Sequence, residues 1–393
     1  MSTVSVSNIK NASSSVNNAV TTSGGDLTNA AGVSFMGGSK NLLYNGAMQV
    51  AQRGTSTASI TTDGYYTADR WKATFATLGT WTQSVETDAP TGSGLRKSLK
   101  MLCTTADAAP SAGDLLIINQ PLEGQDVQRV AKGTASAQQL TLSFWVKANV
   151  TGTYVCELVD GDNSRGVSAT YSVSASATWE KKTITFPADT TGAFDNDNGG
   201  SLTVSWWLGA GTTFTSGTLA TTWASLTSAN RAVGQTNLAA ATNNYWQVTG
   251  VQLEVGPVAS SFEFKSFGQE LRECQRYFES SYDVSNAIGT ATRAGAVHIT
   301  SYANTATTYN NSCGFRFITP KRASPTITGY DPDVANTTGK GRADGPSIPA
   351  TQGNITFNSP ASTGVASVTV DITGRTAGAP VGLIFHYTAS SEL

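Results

Sequence analysis

Charge is scarce in this chain: Asp, Glu, Lys and Arg make up 13% of its 393 residues, and the formal net charge is −2. With no run of Lys or Arg, the sequence offers no basic field for nucleic acid and no polybasic stretch for a membrane surface. Long apolar runs are missing as well. The longest, such as 115–118, are far too short to cross a bilayer, so no membrane insertion is expected. The opening residues, MSTVSVSNIKNASSSVNN, lack the apolar core of a secretory signal, which predicts synthesis in a cytoplasm. Histidine occurs only at His298 and His386, both in predicted strands, and no Gly-x-Ser-x-Gly elbow accompanies them. His-Glu-x-x-His and paired-Cys spacings are absent too, so zinc is not expected. Cys103, Cys156, Cys274 and Cys313 are widely separated and read as buried reduced thiols. The segment 339–345 (GKGRADG) lacks the upstream glycine and the Ser/Thr after Lys that a phosphate loop needs. No cofactor, no catalytic residue and no enzymatic activity are expected.

What the sequence does contain is Ser, Thr, Gly, Asn and Ala, with aromatic and β-branched residues in short runs: a mainly β composition with many turns. Strands are predicted at 41–50, 65–71, 81–87, 139–146, 154–159, 179–186, 202–208, 245–255 and 262–264. Turn clusters separate them, and no helix intervenes. A β-sandwich of the jelly-roll type, residues 41–265, accounts for this pattern.

At Ser266 the period changes. Ser266 and Gln269 have capping-box spacing, and Phe267, Leu271, Cys274 and Phe278 follow at steps of four, three and four, which is one helical stripe. A linking α-helix of about three or four turns is predicted within 266–285, with Glu273 and Arg276 paired on its polar side. All eight Trp residues precede it. Beyond it, strands at 296–302, 312–318, 325–330, 354–357, 366–372 and 381–388 predict a C-terminal β-sandwich tip over 286–393. The polar stretch 330–345 reads as a surface loop. It supplies Tyr330, Asp331, Asp333, Lys340 and Arg342 as candidate recognition residues.

Residues 1–40 form the remaining piece, an extended N-terminal arm. Val4, Val6 and Ile9 are its main apolar points, too few to offset the entropy of ordering it. Order there requires a partner, either sister copies or a larger assembly, and these three residues are its candidate assembly contacts.

Several stretches resemble a domain of bacteriophage tail-fibre and other tail-associated proteins. They are 41–54 (NLLYNGAMQVAQRG), 66–71 (YTADRW), 250–256 (GVQLEVG), 262–264, 270–277 (ELRECQRY), 319–326 (TPKRASPT) and 387–393 (YTASSEL). In order, they cover most of 41–393. The resemblance implies a jelly roll of the carbohydrate-binding-module type and a small β tip. It implies a homotrimer on the virion that contacts host surface polysaccharide or lipopolysaccharide. Residues 1–40 match nothing in that family; as the arm that needs a partner, they are the expected attachment to other phage tail or virion proteins. A capsid or neck decoration protein and a polysaccharide depolymerase are the alternatives. A depolymerase needs two carboxyls roughly 5–10 Å apart across the sugar.

Two further groups are candidates from the residues themselves. The acidic turns Asp160–Asp162–Asn163 and Asp195–Asp197–Asn198 offer oxygen ligands, but lack the downstream Glu of a calcium loop and suit ordinary turns. Trp206, Trp207 and Trp223 are candidate rings for sugar stacking. In one strand Trp206 and Trp207 point to opposite faces, which predicts one in the core and the other on the outer face or in a subunit contact.

Overall fold

The computed structural model describes residues 8–10, 17–21, 27–28, 39–302, 309–345, 348–358, 364–371 and 380–393. Two antiparallel sheets face each other to form a jelly-roll sandwich. The first has six strands in the order Glu180–Phe186, Leu140–Ala148, Tyr245–Val255, Ser98–Thr105, Thr80–Glu86 and Ser56–Ile60. The second has seven: Ala224–Ser225, Arg165–Val173, Gly152–Asp160, Gly200–Ala210, Leu115–Glu123, Lys72–Ala76 and Gly64–Tyr65. Alternation fills the space between them. Leu140, Leu142, Phe144 and Val146 point inward from one sheet and meet Leu158, Val204 and Trp206 of the other. Trp206 sits against Trp71 at 5.5 Å and edge-on to Phe144 at 5.6 Å, so large rings set the thickness of this core.

The opening strand predicted at 41–50 is not formed. Asn45 and Met48 take left-handed backbone angles (φ 53° and 56°), and side-chain amides replace a ladder. Asn41 Nδ2 donates to the Val251 carbonyl at 2.9 Å, and Asn41 Oδ1 accepts from Leu253 N at 3.0 Å. Nor do 66–71 and 262–264 form strands; the first is a turn ending at Trp71 and the second is irregular.

The helix is shorter than its pattern suggests, running Phe267–Gln275. Ser266 caps it by accepting from Gln269 N at 3.3 Å, but Gln269 turns forward to Glu273 instead of closing the capping box. Glu273 pairs with Lys265 at 2.7 Å, and Arg276 leaves the helix for Glu123. Of the predicted stripe only Cys274 is buried within the helix. Phe267 is 43% exposed, Leu271 is half-buried, and Phe278 belongs to the strand Phe278–Ser280, paired with Ser390. Strand pairing overrides helical spacing there because Phe278 gains a ladder and a buried ring.

In the C-terminal region the strand Pro380–Ser390 is the hub. It pairs with Phe278–Ser280, Val297–Tyr302, Thr326–Tyr330 and Lys340–Gly345. The core beneath it is Phe317, Val368, Leu383, Phe385 and Tyr387, separate from the core of the sandwich.

A dense polar seam joins the two. Arg276 grips Glu123 through two bonds of 2.7 Å, Arg53 reaches Glu392 at 3.0 Å, and fully buried Arg70 also pairs with Glu392. The Arg70 and Arg53 guanidinium groups lie 3.5 and 3.6 Å from the rings of Tyr277 and Phe278. Lys321, completely buried, binds the equally buried Glu279 at 2.6 Å. Within the arm, Asn8–Lys10, Asn17–Thr21 and Leu27–Thr28 pair as a three-stranded antiparallel sheet. Ile9 lies in its first strand, and Val4 and Val6 lie outside the described residues.

Candidate functional site

The predicted loop 330–345 is mostly not a loop. Tyr330 closes one strand and Lys340–Gly345 forms another, leaving only 331–339 as the turn between them. Its charges are engaged with one another. Buried Asp331 accepts from Arg342 Nε at 2.7 Å and Gln352 Nε2 at 2.5 Å, while Asp333 binds Arg293 at 2.6 Å and Arg342 at 3.3 Å. Burial opposes ionisation of Asp331, but the bonds from Arg342 and Gln352 outweigh it and hold the carboxyl below its usual range. Lys340 reaches Asn354 at 2.5 Å, and the half-buried Tyr330 ring sits 6.0 Å from that of Tyr282.

The two acidic turns do meet, through Asp195 N donating to Asp162 at 2.9 Å. The place a cation would take at Asp160 is filled by the ammonium of Lys132, at 2.5 Å from Asp160 and 3.1 Å from Asp189. Among the described residues no group of three or more His, Cys, Asp or Glu is arranged to hold a metal ion.

His386 is buried, and burial lowers its proton affinity. Its Nδ1 lies 3.0 Å from Ser281 Oγ and its Nε2 lies 2.8 Å from the Thr292 carbonyl. The Thr292 carbonyl can only accept, so Nε2 carries the proton; in the neutral ring Nδ1 then accepts from the Ser281 hydroxyl, whose oxygen accepts Tyr387 N–H at 2.9 Å. Each of these polar atoms has a hydrogen-bond partner within the protein. His298 is exposed.

Trp206 and Trp207 do point to opposite faces, yet neither is exposed. Trp207 is covered by Phe214 and Ala232, with its Nε1 on Glu157 at 3.1 Å. Trp223 is half-buried, its Nε1 on the Pro187 carbonyl at 2.8 Å.

The rings left open lie elsewhere, on the outer face of the six-stranded sheet. Since Phe144 and Val146 point into the core, Trp145 and Lys147 between and after them point out. Trp145 stands opposite Lys181 on one side and Thr249 on the other, and Lys147 stands opposite Gln247. A bulge at Gly250 (φ 60°) shifts the register here and aims the ring. A Cβ at Gly250 would meet Leu95 Cδ1 at 2.7 Å and Trp145 Cδ1 at 3.2 Å, so glycine is what lets these two close over the sheet.

Asp88, just past the Thr80–Glu86 strand, organises the middle of the face. Its carboxylate takes Lys147, Trp179 Nε1 at 3.1 Å and Gln247 Nε2 at 3.3 Å. Burial works against its charge, but these bonds win and hold the carboxyl below its usual range. Lys147 Nζ lies 5.4 Å from the Trp179 ring, and Lys100 Nζ lies 4.9 Å from that of Tyr245. Trp145, Trp179 and Tyr245 are all part-exposed. Beside them the loop 87–96 encloses a hollow of about 270 Å³ lined by Thr87, Pro90, Leu95 and Arg96. Flat rings next to anchored donors and acceptors can stack on a sugar ring and bond its hydroxyls.

The sequence reading missed this face. The signal was present in the alternation 140-142-144-146, which already sends Trp145 outward. The contribution of Asp88 was not readable, because it arrives from a loop nearly sixty residues away in the chain.

No family model matches the chain, and no curated protein matches it. Among solved structures it is similar to the enzymatically active domain of a bacteriophage CBA120 tailspike protein, with 12% identity and a TM-score of 0.29 over 55% of this chain. That match spans 21% of the tailspike chain, so this protein aligns with only about a fifth of it. It is also similar to a family 61 carbohydrate-binding module in complex with β-1,4-galactotriose (9% identity, TM-score 0.28, 55% of this chain and 99% of the module). A family 11 module from Clostridium thermocellum, in complex with a mixed-linked tetrasaccharide, aligns at 10% identity and a TM-score of 0.27, over 52% of this chain and 98% of the module. Likenesses this distant carry no inference about function.

Proposed function

We propose that the chain is a non-enzymatic structural protein of a bacteriophage virion, a tail fibre that contacts glycan on the host cell surface. In this reading it works as a homotrimer attached to other tail proteins through residues 1–40. The sandwich 41–265 and the tip 286–393 project outward on either side of the linking helix. The glycan part rests on one observation, the open face where Trp145, Trp179 and Tyr245 sit beside the Asp88–Lys147–Gln247 network. The virion part rests on the resemblance of the motifs. Several of these meet at the seam: Arg53 and Arg70 from the first two, Arg276 and Tyr277 from the helix end, and Glu392 from the last.

Adsorption competition tests the reading. Purified full-length protein added to host cells should reduce particle adsorption, and surface polysaccharide preincubated with the protein should relieve that block without releasing reducing ends. Adsorption that is indifferent to the protein would remove the host-contact role, and released reducing ends would replace it with a depolymerase.

A further inference from the structure

We propose that the outer face of the six-stranded sheet takes an acidic polysaccharide, one carrying uronate carboxylates, in preference to a neutral one; this rests on the glycan-contact reading above. The chain as a whole is slightly acidic, with a net charge of −2, but this face is not. Lys100, Lys147, Lys181 and Arg96 surround the three rings, against the carboxylates of Asp88 and Glu86. Glu180 and Lys182, at the rim, cancel each other at 2.6 Å.

Asp88 is paired with Lys147 and accepts from Trp179 and Gln247, and Glu86 accepts the Ser84 hydroxyl at 2.6 Å. Among the described residues no carboxylate lies within ion-pair distance of Lys100, Lys181 or Arg96. The buried cations Arg70, Lys132 and Lys321, by contrast, each hold a carboxylate.

Their placement follows the sheet. Lys181 stands opposite Trp145; two residues further along the strand of Trp145, Lys147 stands opposite Gln247, which in turn stands opposite Lys100, so these groups run diagonally over four neighbouring strands. At the usual strand spacing the four strands are roughly 14 Å across, enough for a short oligosaccharide lying over them. Lys181 is directly opposite Trp145, and the Lys100 ammonium lies over the Tyr245 ring, 4.9 Å from its centre. Each ring is thus set to carry the apolar face of a sugar, with an ammonium beside it for a carboxylate on the sugar's rim. A nucleic acid is the poorer match, since tight phosphate tracking relies on many neutralising cations and here one of the four is already paired.

The test is titration of the full-length chain with polygalacturonate, alginate and hyaluronan, and in parallel with the neutral glucans laminarin and dextran and with single-stranded DNA. At least one polyuronate should bind at least tenfold more tightly than either glucan, and more weakly as sodium chloride rises from 50 to 500 mM. The exposed changes Lys181→Gln and Lys100→Gln should each weaken that binding about two- to fivefold, leaving thermal unfolding unchanged. Neutral glucan bound as well as polyuronate would overturn the acidic preference while leaving glycan contact intact. DNA bound as well as polyuronate would overturn it as nonselective attraction of polyanions. Binding of none of these polysaccharides would overturn both readings.

Discussion

The seam and the outer face are built from the same kinds of residue, aromatic rings beside cations and carboxylates, and use them to opposite ends. In the seam Arg70 lies 3.5 Å from the Tyr277 ring, out of solvent, with Glu392 as its partner. On the face Lys100 lies 4.9 Å from the Tyr245 ring, part-exposed, with no carboxylate to meet it. The network around Asp331 belongs with the seam, because its charges neutralise one another. Residue type alone therefore does not mark a recognition surface. What marks it is the charge and ring surface left over after internal pairing.

The comparison breaks most visibly if a seam charge is removed. Glu392→Ala leaves Arg70 buried without its carboxylate and should cost about 3–5 kcal/mol in denaturant unfolding, with glycan affinity unchanged in the protein that remains folded. A loss below 1 kcal/mol would mean that the seam is not dry. Asp331→Ala leaves Arg342 with the more distant Asp333 alone and should cost about 2 kcal/mol, again with no change in glycan affinity.

Asp69, inside the seam, sharpens the contrast through pH. Burial, opposed by Arg53 and Gln52, pushes its carboxyl up to about 6 from 3.8. The folded state therefore binds a proton that the unfolded chain releases between those values, and this contribution to stability grows as pH falls from 6 to 4. Relative to Asp69→Asn, the unaltered protein should gain on the order of 2 kcal/mol across that window, measured by urea unfolding at each pH. A constant difference would place Asp69 in contact with solvent. On the face the effects are smaller and fall on binding. Trp179→Ala should weaken glycan about two- to tenfold and alter stability by no more than about 1 kcal/mol.

Much of the sandwich was legible because several strands alternate cleanly; Leu140–Ala148, Glu180–Phe186 and Tyr245–Val255 fall where the pattern puts them. Others were not, among them three long ones. Leu115–Glu123 is buried on both faces and shows a run instead of an alternation. Ser98–Thr105 carries Lys100 in mid-strand, and Arg165–Val173 intersperses its buried Val167, Tyr171 and Val173 with Gly, Ser, Ala and Thr, which look like turn material in one dimension. The helix was placed correctly at its start, where Ser266 is a local signal, and was overextended at its end, where pairing with the distant strand Pro380–Ser390 decides the outcome. The same distinction governs the site. The outward turn of Trp145 is a local fact, whereas the pairing of Asp331 with Arg342 and the arrival of Asp88 beside Trp179 are set by tertiary contact alone.

The central claim, that glycan is met by the open sheet face and not by the 330–345 region, is tested most directly by two double variants of the full-length chain titrated with the same polysaccharide. Trp145→Ala with Trp179→Ala should lose at least tenfold in affinity, while Asp333→Ala with Lys340→Ala should bind as the unaltered protein does. The reverse pattern, with affinity kept by the first pair and lost by the second, would contradict the account.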